Sequence, residues 1–82
     1  MLKNELLSEI LVLMRELEQD TGISNITKEK IVNSIETLNG DLDLSVRASK
    51  VIHEIEEVSQ KNNIESYTRT QLWNIVSLLE KL

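Results

Sequence analysis

The chain has 82 residues, a formal net charge of -5 at pH 7, no cysteine, no proline, and one Trp and one Tyr as its aromatic residues. This length predicts one small domain over residues 1–82, and the lack of cysteine excludes disulfide bonds and cysteine-ligated zinc. The negative charge and the scarcity of aromatic rings argue against a nucleic-acid module that relies on overall positive charge or on stacked bases.

The sequence carries no signal for export or for a membrane. Its N-terminal region lacks the basic segment and apolar run of a signal peptide, and no apolar run approaches the roughly 18 residues of a membrane span. We therefore expect a soluble cytoplasmic protein with no membrane partner. The two glycines, Gly22 and Gly40, fit the short turns of an all-α chain.

The first helix is predicted from about Leu2 to Gln19, where the turn DTGI breaks the pattern. At about 100° per residue its apolar side chains fill one broad arc, and Val12 points away from that arc. The arc comprises Leu6, Leu7, Ile10, Leu11, Leu13, Met14 and Leu17.

The second helix is predicted to begin between Ser24 and Lys28 and to end in the turn LNGD. Thr27 is the candidate N-cap, with Ile26 and Ile31 placed as a hydrophobic staple. Its apolar stripe comprises Ile31, Ile35 and Leu38, with Val32 at the side.

The third helix is predicted to begin between Asp41 and Ser45, because aspartates suit a helix N-terminus. Its apolar face comprises Leu44, Ala48, Val51, Ile52, Ile55 and Val58, after which SQKNN interrupts the pattern. The fourth helix is predicted to begin between Glu65 and Thr68 and to run to the end of the chain. More than half of its circumference is apolar.

The two halves of the chain resemble each other at an offset of 41 residues. The identical pairs are Ser8 and Ser49, Glu16 and Glu57, Gln19 and Gln60, Ile23 and Ile64, Thr27 and Thr68, Asn33 and Asn74, and Leu38 and Leu79. Two unrelated amphipathic hairpins could share as many, but the turns agree as well. The pattern fits a duplicated αα-hairpin whose two copies bury each other's apolar faces.

These elements predict an all-α fold, a four-helix up-down-up-down bundle made of two tandem αα-hairpins. The predicted core takes side chains from all four helices: Leu6, Ile10, Leu13, Leu17, Ile31, Ile35, Leu38, Val51, Ile55, Leu72, Val76 and Leu79.

Two segments, DLSVRASKVIHEIEEVSQ and YTRTQLWNIVSLLE, resemble an archaeal family known as uncharacterised protein family 0147. The resemblance rests on LSVR at residues 44–47, on Arg69 with Thr70, on WNIV at residues 73–76, and on a final Leu-Glu pair. It implies a compact four-helix bundle and brings no activity with it. Family members usually open the second and fourth helices with proline, whereas this chain has Ser24 and Glu65 there.

The apolar surface of the first and fourth helices exceeds what a small bundle needs. Trp73 either seals one edge of the core or lies in an interface, where Trp is enriched. Val12, Trp73 and Leu78 are the candidate interface residues. A contact through them with another protein, or with a second copy in a two-fold homodimer, would add stability to so short a chain.

The sequence offers no candidate catalytic, cofactor-binding or metal site. His53 is the single histidine, with Glu56 and Glu57 one turn along. A di-iron bundle needs a second such pair, but the residue at the offset of 41 is Val12. We therefore expect a solvated surface histidine, no enzymatic activity and no cofactor.

Charged residues cluster at one end of the predicted bundle. The acidic residues there are Glu16, Glu18, Asp20, Glu54, Glu56 and Glu57. They form either a solvated end or a docking surface for a basic partner. Arg47, Arg69 and Asn74 form a candidate polar signature, in which Arg47 is expected to bind carbonyl oxygens or a carboxylate.

The leading functional prediction is a non-enzymatic protein that binds an unknown protein partner or itself. The alternative is an accessory factor of ribonucleoproteins that contacts RNA through Arg47, Lys50 and Lys61, although the net charge makes nucleic acid an unlikely partner. A metal or small-molecule binder is the third class, and the single histidine and missing cysteines weaken it.

Overall fold

A computed structural model of the chain describes residues 2–61 and 64–82, and for residue 61 it describes the backbone alone. Four helices are present in these ranges: α1 (Lys3–Glu18), α2 (Asn25–Leu38), α3 (Leu44–Lys61) and α4 (Ser66–Leu79). The described residues contain no strand. The last two residues of the predicted break SQKNN lie outside the described residues, whereas its first three still belong to α3.

The four helices pack in the order of the chain around one core. Each helix contacts its two neighbours, and the ring closes where α4 packs on α1. The start of α4 lies beside the loop between α1 and α2, so α2 and α4 begin at the same end. This arrangement confirms the predicted four-helix up-down-up-down bundle.

The predicted repeat has a structural counterpart at the same offset. Adding 41 to the first and last residues of α2 gives 66 and 79, the bounds of α4, and adding 41 to the first residue of α1 gives 44, the start of α3. Buried residues also correspond: Ile10 with Val51, Met14 with Ile55, Leu17 with Val58, Ile31 with Leu72, and Leu38 with Leu79. We call positions 41 residues apart twin positions.

The core is one cluster of apolar side chains from all four helices. Its members are Leu6, Ile10, Met14, Leu17, Ile31, Ile35, Leu38, Ala48, Val51, Ile55, Val58, Leu72, Ile75, Val76 and Leu79. Leu13, which was predicted in the core, is only partly buried and packs against the core from the flank of α1. The predicted core omitted Met14, Ala48, Val58 and Ile75.

The N-terminus of α2 corrects a second prediction, because Ser24 is the N-cap in place of Thr27. The backbone N–H of Thr27 donates to Oγ of Ser24 at 3.2 Å, and the Ser24 hydroxyl donates to Oγ1 of Thr27 at 3.0 Å. The expected staple is also wrong, since the side chain of Ile26 is 64% exposed. With the cap three residues earlier, Thr27 falls inside the first turn and is buried.

None of the four helices, over the residues that the structure describes, combines the length and the apolar character needed to span a bilayer.

Candidate interaction site

Several large apolar side chains are exposed in the described part of the chain: Leu2, Val12, Ile26, Leu42, Val46, Tyr67 and Trp73. Two of them belong to the predicted interface set, with exposed fractions of 54% for Val12 and 44% for Trp73. The third member of the set, Leu78, is partly buried and packs against the core.

A small cleft of about 80 Å³ between α1 and α4 fixes which flanks of the two helices face each other. Leu13, Glu16 and Asp20 line it from the α1 side. Tyr67 and Gln71 line it from α4. These residues therefore mark the seam along which the two helices meet.

Helical spacing places Val12 and Leu78 along this seam. Val12 is one helical turn before Glu16, and residues four apart share one side of a helix. Leu78 is two turns after Gln71 on α4, and a spacing of seven residues returns to the same side. We call the surface formed by Val12, Leu13, Gln71 and Leu78 the α1/α4 face.

The twin positions give independent support for this placement. A shallow groove between α2 and α3 is lined by Thr37, Ser49, Lys50, His53 and Glu54. Subtracting 41 from 53 and 54 gives Val12 and Leu13, and adding 41 to 37 gives Leu78. The two surfaces therefore correspond, but the α2/α3 groove has the polar residues Thr37, His53 and Glu54 where the α1/α4 face has Leu78, Val12 and Leu13.

The α1/α4 face carries carboxylates around its apolar centre. Glu9 and Glu16 lie one turn on either side of Val12, and both are exposed. Glu5 lies a further turn towards the N-terminus, and Asp20 lines the cleft at the other end. Arg15, which is exposed one turn after Val12, and Lys81, one turn beyond Leu78, offset part of this charge. The result is an apolar strip with more acidic than basic residues around it.

Trp73 lies on the opposite flank of α4 from this face. It is two positions after Gln71, a rotation of about 200° around the helix. Because α4 packs between α1 and α3, this flank faces α3. Trp73 is 44% exposed, which is too much for a side chain that seals an edge of the core. The structure also does not bring Trp73 together with Val12 and Leu78.

The polar signature residues have different environments. Nε of Arg47 donates to the carbonyl oxygen of Leu42 at 2.6 Å, and its second donor nitrogen, Nη1, reaches the carbonyl oxygen of Leu38 at 2.7 Å. Arg47 thus binds the C-terminal end of α2 and the following loop, in the carbonyl-binding role expected from the sequence. Arg69 and Asn74 are both exposed on α4.

His53 is a surface residue. Its side chain is 83% exposed, and its Nδ1 lies 3.9 Å from Oε1 of Glu56. No group of three or more metal-ligating side chains occurs in residues 2–61 and 64–82. The histidine therefore contributes an exposed polar contact to the α2/α3 groove.

Four of the six acidic residues predicted to share one end of the bundle lie beside different surface features. Glu16 and Asp20 line the cleft between α1 and α4. Glu54 lines the α2/α3 groove. Glu56 lies next to His53. Their positions therefore give less support to a docking surface made of all six than to one that centres on Val12. The carboxylates that flank Val12 include Glu16.

Comparison with known proteins gives consistent matches over nearly the whole chain. A family model described as "Uncharacterised protein family (UPF0147)" matches residues 1–82. A UPF0147 protein of Methanothermobacter thermautotrophicus is 33% identical over 82 residues, which are 99% of this chain and 80% of that protein. A UPF0147 protein of Sulfurisphaera tokodaii is 29% identical over 75 residues, which are 90% of this chain and 84% of that protein.

Two solved structures have the same fold. A crystal structure of the protein of unknown function MMP1188 matches with a TM-score of 0.93 and 28% identity, and the match covers 99% of this chain and 93% of that one. A crystal structure of a protein from the same family, from Thermoplasma acidophilum, matches with a TM-score of 0.91 and 28% identity over 96% and 94% of the two chains. The resemblance seen in the LSVR and WNIV segments is thereby confirmed.

Proposed function

Since the chain belongs to the Uncharacterised protein family (UPF0147), which brings no assigned activity, we propose a function from the chain's own surface. The protein is a non-enzymatic, cytoplasmic interaction module. Its α1/α4 face receives a basic amphipathic segment of another protein, which inserts an apolar side chain beside Val12 and places Lys or Arg residues against the flanking carboxylates.

The observation that carries the proposal is the contrast between the twin surfaces. At the position where the α2/α3 groove has His53 and Thr37, the α1/α4 face has Val12 and Leu78. Both surfaces are built on the same hairpin scaffold, and the α2/α3 groove has polar residues at the two positions. Packing of the core therefore does not require Val12 and Leu78 to be apolar. An exposed apolar centre with a polar rim is the usual composition of a contact surface.

The charges on the face favour a different protein over a second copy. In a two-fold dimer centred on Val12, Glu9 of one copy would approach Glu9 or Glu16 of the other, and Arg15 is the one cation next to them on α1. Like charges placed together across an interface oppose association. A basic partner turns the same carboxylates into favourable contacts and accelerates the encounter at low ionic strength.

The alternative function, RNA binding, has less support, because the side chains that would contact RNA are poorly suited to it. Arg47 uses Nε and Nη1 to bind two backbone carbonyl oxygens. Lys50 is exposed, and the side chain of Lys61 lies outside the described residues. A single exposed lysine beside Glu54 makes a weak phosphate contact.

The test is quantitative affinity purification from the native host with three forms of the full chain at endogenous level. These are the unmodified protein, Val12→Lys and His53→Lys. The first substitution places a cation in the apolar centre of the α1/α4 face, and the second places the same cation at the twin position. We expect one basic protein to be retained by the unmodified chain and by His53→Lys, and to be released as salt increases.

Val12→Lys should lose that partner while retaining its helical circular dichroism. Equal retention by both variants would contradict the proposal. Sedimentation of the purified protein at micromolar concentrations provides the second readout, and we expect a monomer mass. A dimer that Val12→Lys dissociates would mean that the face binds a second copy.

A further inference from the structure

A cavity of about 500 Å³ opens at the end of the bundle where α2 and α4 begin. Its volume lies within the range of about 300–1,000 Å³ that is usual for small-molecule sites. Ile23, Ile26 and Ile64 supply apolar side chains to its wall. The cavity is separate from the α1/α4 face and has no part in the proposed protein contact.

The cavity is built from twin positions. Adding 41 to 23, 24 and 27 gives 64, 65 and 68, and all six positions line the cavity. The N-terminal turns of α2 and α4 therefore meet in this cavity from its two sides. Any ligand in it would contact both halves of the duplicated chain.

The two sides differ in their hydrogen bonds. On the α2 side, Ser24 accepts from the N–H of Thr27 and donates to its hydroxyl. On the α4 side, Glu65 occupies the N-cap position and its side chain makes no capping bond. The first turn of α4 therefore has backbone N–H groups without the cap that its twin possesses.

Thr68 is the second, independent sign of a ligand. Its side chain is 5% exposed and lines the cavity, and its hydroxyl has no hydrogen-bond partner within residues 2–61 and 64–82. Over the same residues, no fully enclosed side-chain oxygen or nitrogen lacks a partner, so this oxygen is accessible to solvent, and the cavity that Thr68 lines is the opening next to it. Buried hydroxyls are normally hydrogen-bonded, and an acceptor in the cavity would satisfy this one.

We propose that this cavity binds a small uncharged ligand with a branched or cyclic hydrocarbon body and one carbonyl or hydroxyl oxygen. The hydrocarbon contacts Ile23, Ile26 and Ile64. The oxygen accepts hydrogen bonds from the Thr68 hydroxyl and from the first turn of α4. The carboxylate of Glu65 in the cavity wall disfavours an anion, and the N-terminal ends of two helices disfavour a cation.

The test is a titration of the full isotope-labelled chain with cyclohexanone, followed by amide chemical shifts. We expect saturable shifts at the first turns of α2 and α4. Thr68→Val keeps the shape of the side chain and removes its donor, so it should weaken binding about three- to tenfold. The control is Thr70→Val on the same helix, whose hydroxyl donates to the carbonyl oxygen of Ser66 outside the cavity and whose loss should leave the affinity unchanged.

Ile26→Ala gives a second readout that does not depend on Thr68. Ile26 is exposed, so its truncation should leave the fold intact and still weaken binding, whereas Val46→Ala at the start of α3 should have no effect. The absence of saturable shifts, or equal affinities of Thr68→Val and Thr70→Val, would overturn the proposal. Tighter binding of cyclohexanecarboxylate than of cyclohexanone would overturn the uncharged ligand class.

Discussion

At the scale of single residues, burial follows the apolar pattern of the sequence more closely than polar contacts do. Ile55 was predicted in the core and is 3% exposed. Arg47 was predicted to bind carbonyl oxygens or a carboxylate. Its acceptors are the carbonyl oxygens of Leu38 and Leu42, and they depend on how the α2–α3 loop turns. A helical wheel gives the direction of a side chain and cannot give the backbone atom that it reaches.

Ile55→Ala should lower the free energy of unfolding by about 2–5 kcal/mol, because it leaves a cavity in a closely packed core. Denaturant unfolding measures this loss directly. Val46→Ala, at an exposed position of the same helix, is the control and should change the free energy by less than about 0.5 kcal/mol. A loss that small for Ile55→Ala would place its side chain at the surface.

Arg47→Met should destabilise the protein by about 1–3 kcal/mol, because two carbonyl oxygens lose a charged donor while the packing of the methylene chain is retained. Thermal unfolding of the purified variant gives the measurement. The comparison is Arg69→Met, an exposed arginine of α4, which should behave like the unmodified chain. If both variants unfolded at the same temperature, the carbonyl contacts of Arg47 would have no role in stability.

At the scale of elements, the starts of the predicted helices agree with the structure to within a few residues, but one cap was misplaced. Ser24, Asn25 and Thr27 are all residues that occur at N-caps. The sequence alone could not choose among them, because the choice depends on which residue has the extended backbone and the free side-chain oxygen. In the structure Ser24 has φ -70° and ψ 159°, and its hydroxyl makes the bond.

The twin positions turn this difference into a prediction for α4. Glu65→Ser should place at α4 the capping bond that Ser24 makes at α2, and should raise the free energy of unfolding by about 0.5–1 kcal/mol. Ser24→Ala should lower it by about 1 kcal/mol for the same reason. Chemical denaturation of both variants would show opposite shifts, and a destabilising Glu65→Ser would mean that the twin turns are not equivalent.

At the scale of the whole molecule, the ring of four helices and its single core cluster fit the duplication predicted from seven identities. The duplication does not account for the proposed function, which depends on where the two halves differ. Val12 was recognised as lying outside the apolar arc of its helix. Its pairing with Leu78, and the separation of Trp73 from both, depends on which flank of α4 packs on α1. This packing is a feature of the tertiary structure, and the pattern of apolar residues within one helix does not predict it.

Chemical-shift mapping of the full labelled chain with a designed peptide tests the interaction surface most directly. The peptide is a helix of about 18 residues, long enough to be helical when bound, with Leu on one face and Lys beside it. We expect saturable amide shifts along the α1/α4 face, centred on Val12 and Leu78, and none with a matched peptide in which Glu replaces Lys. Shifts centred on the α2/α3 groove around His53, or on the flank that carries Trp73, would contradict the account.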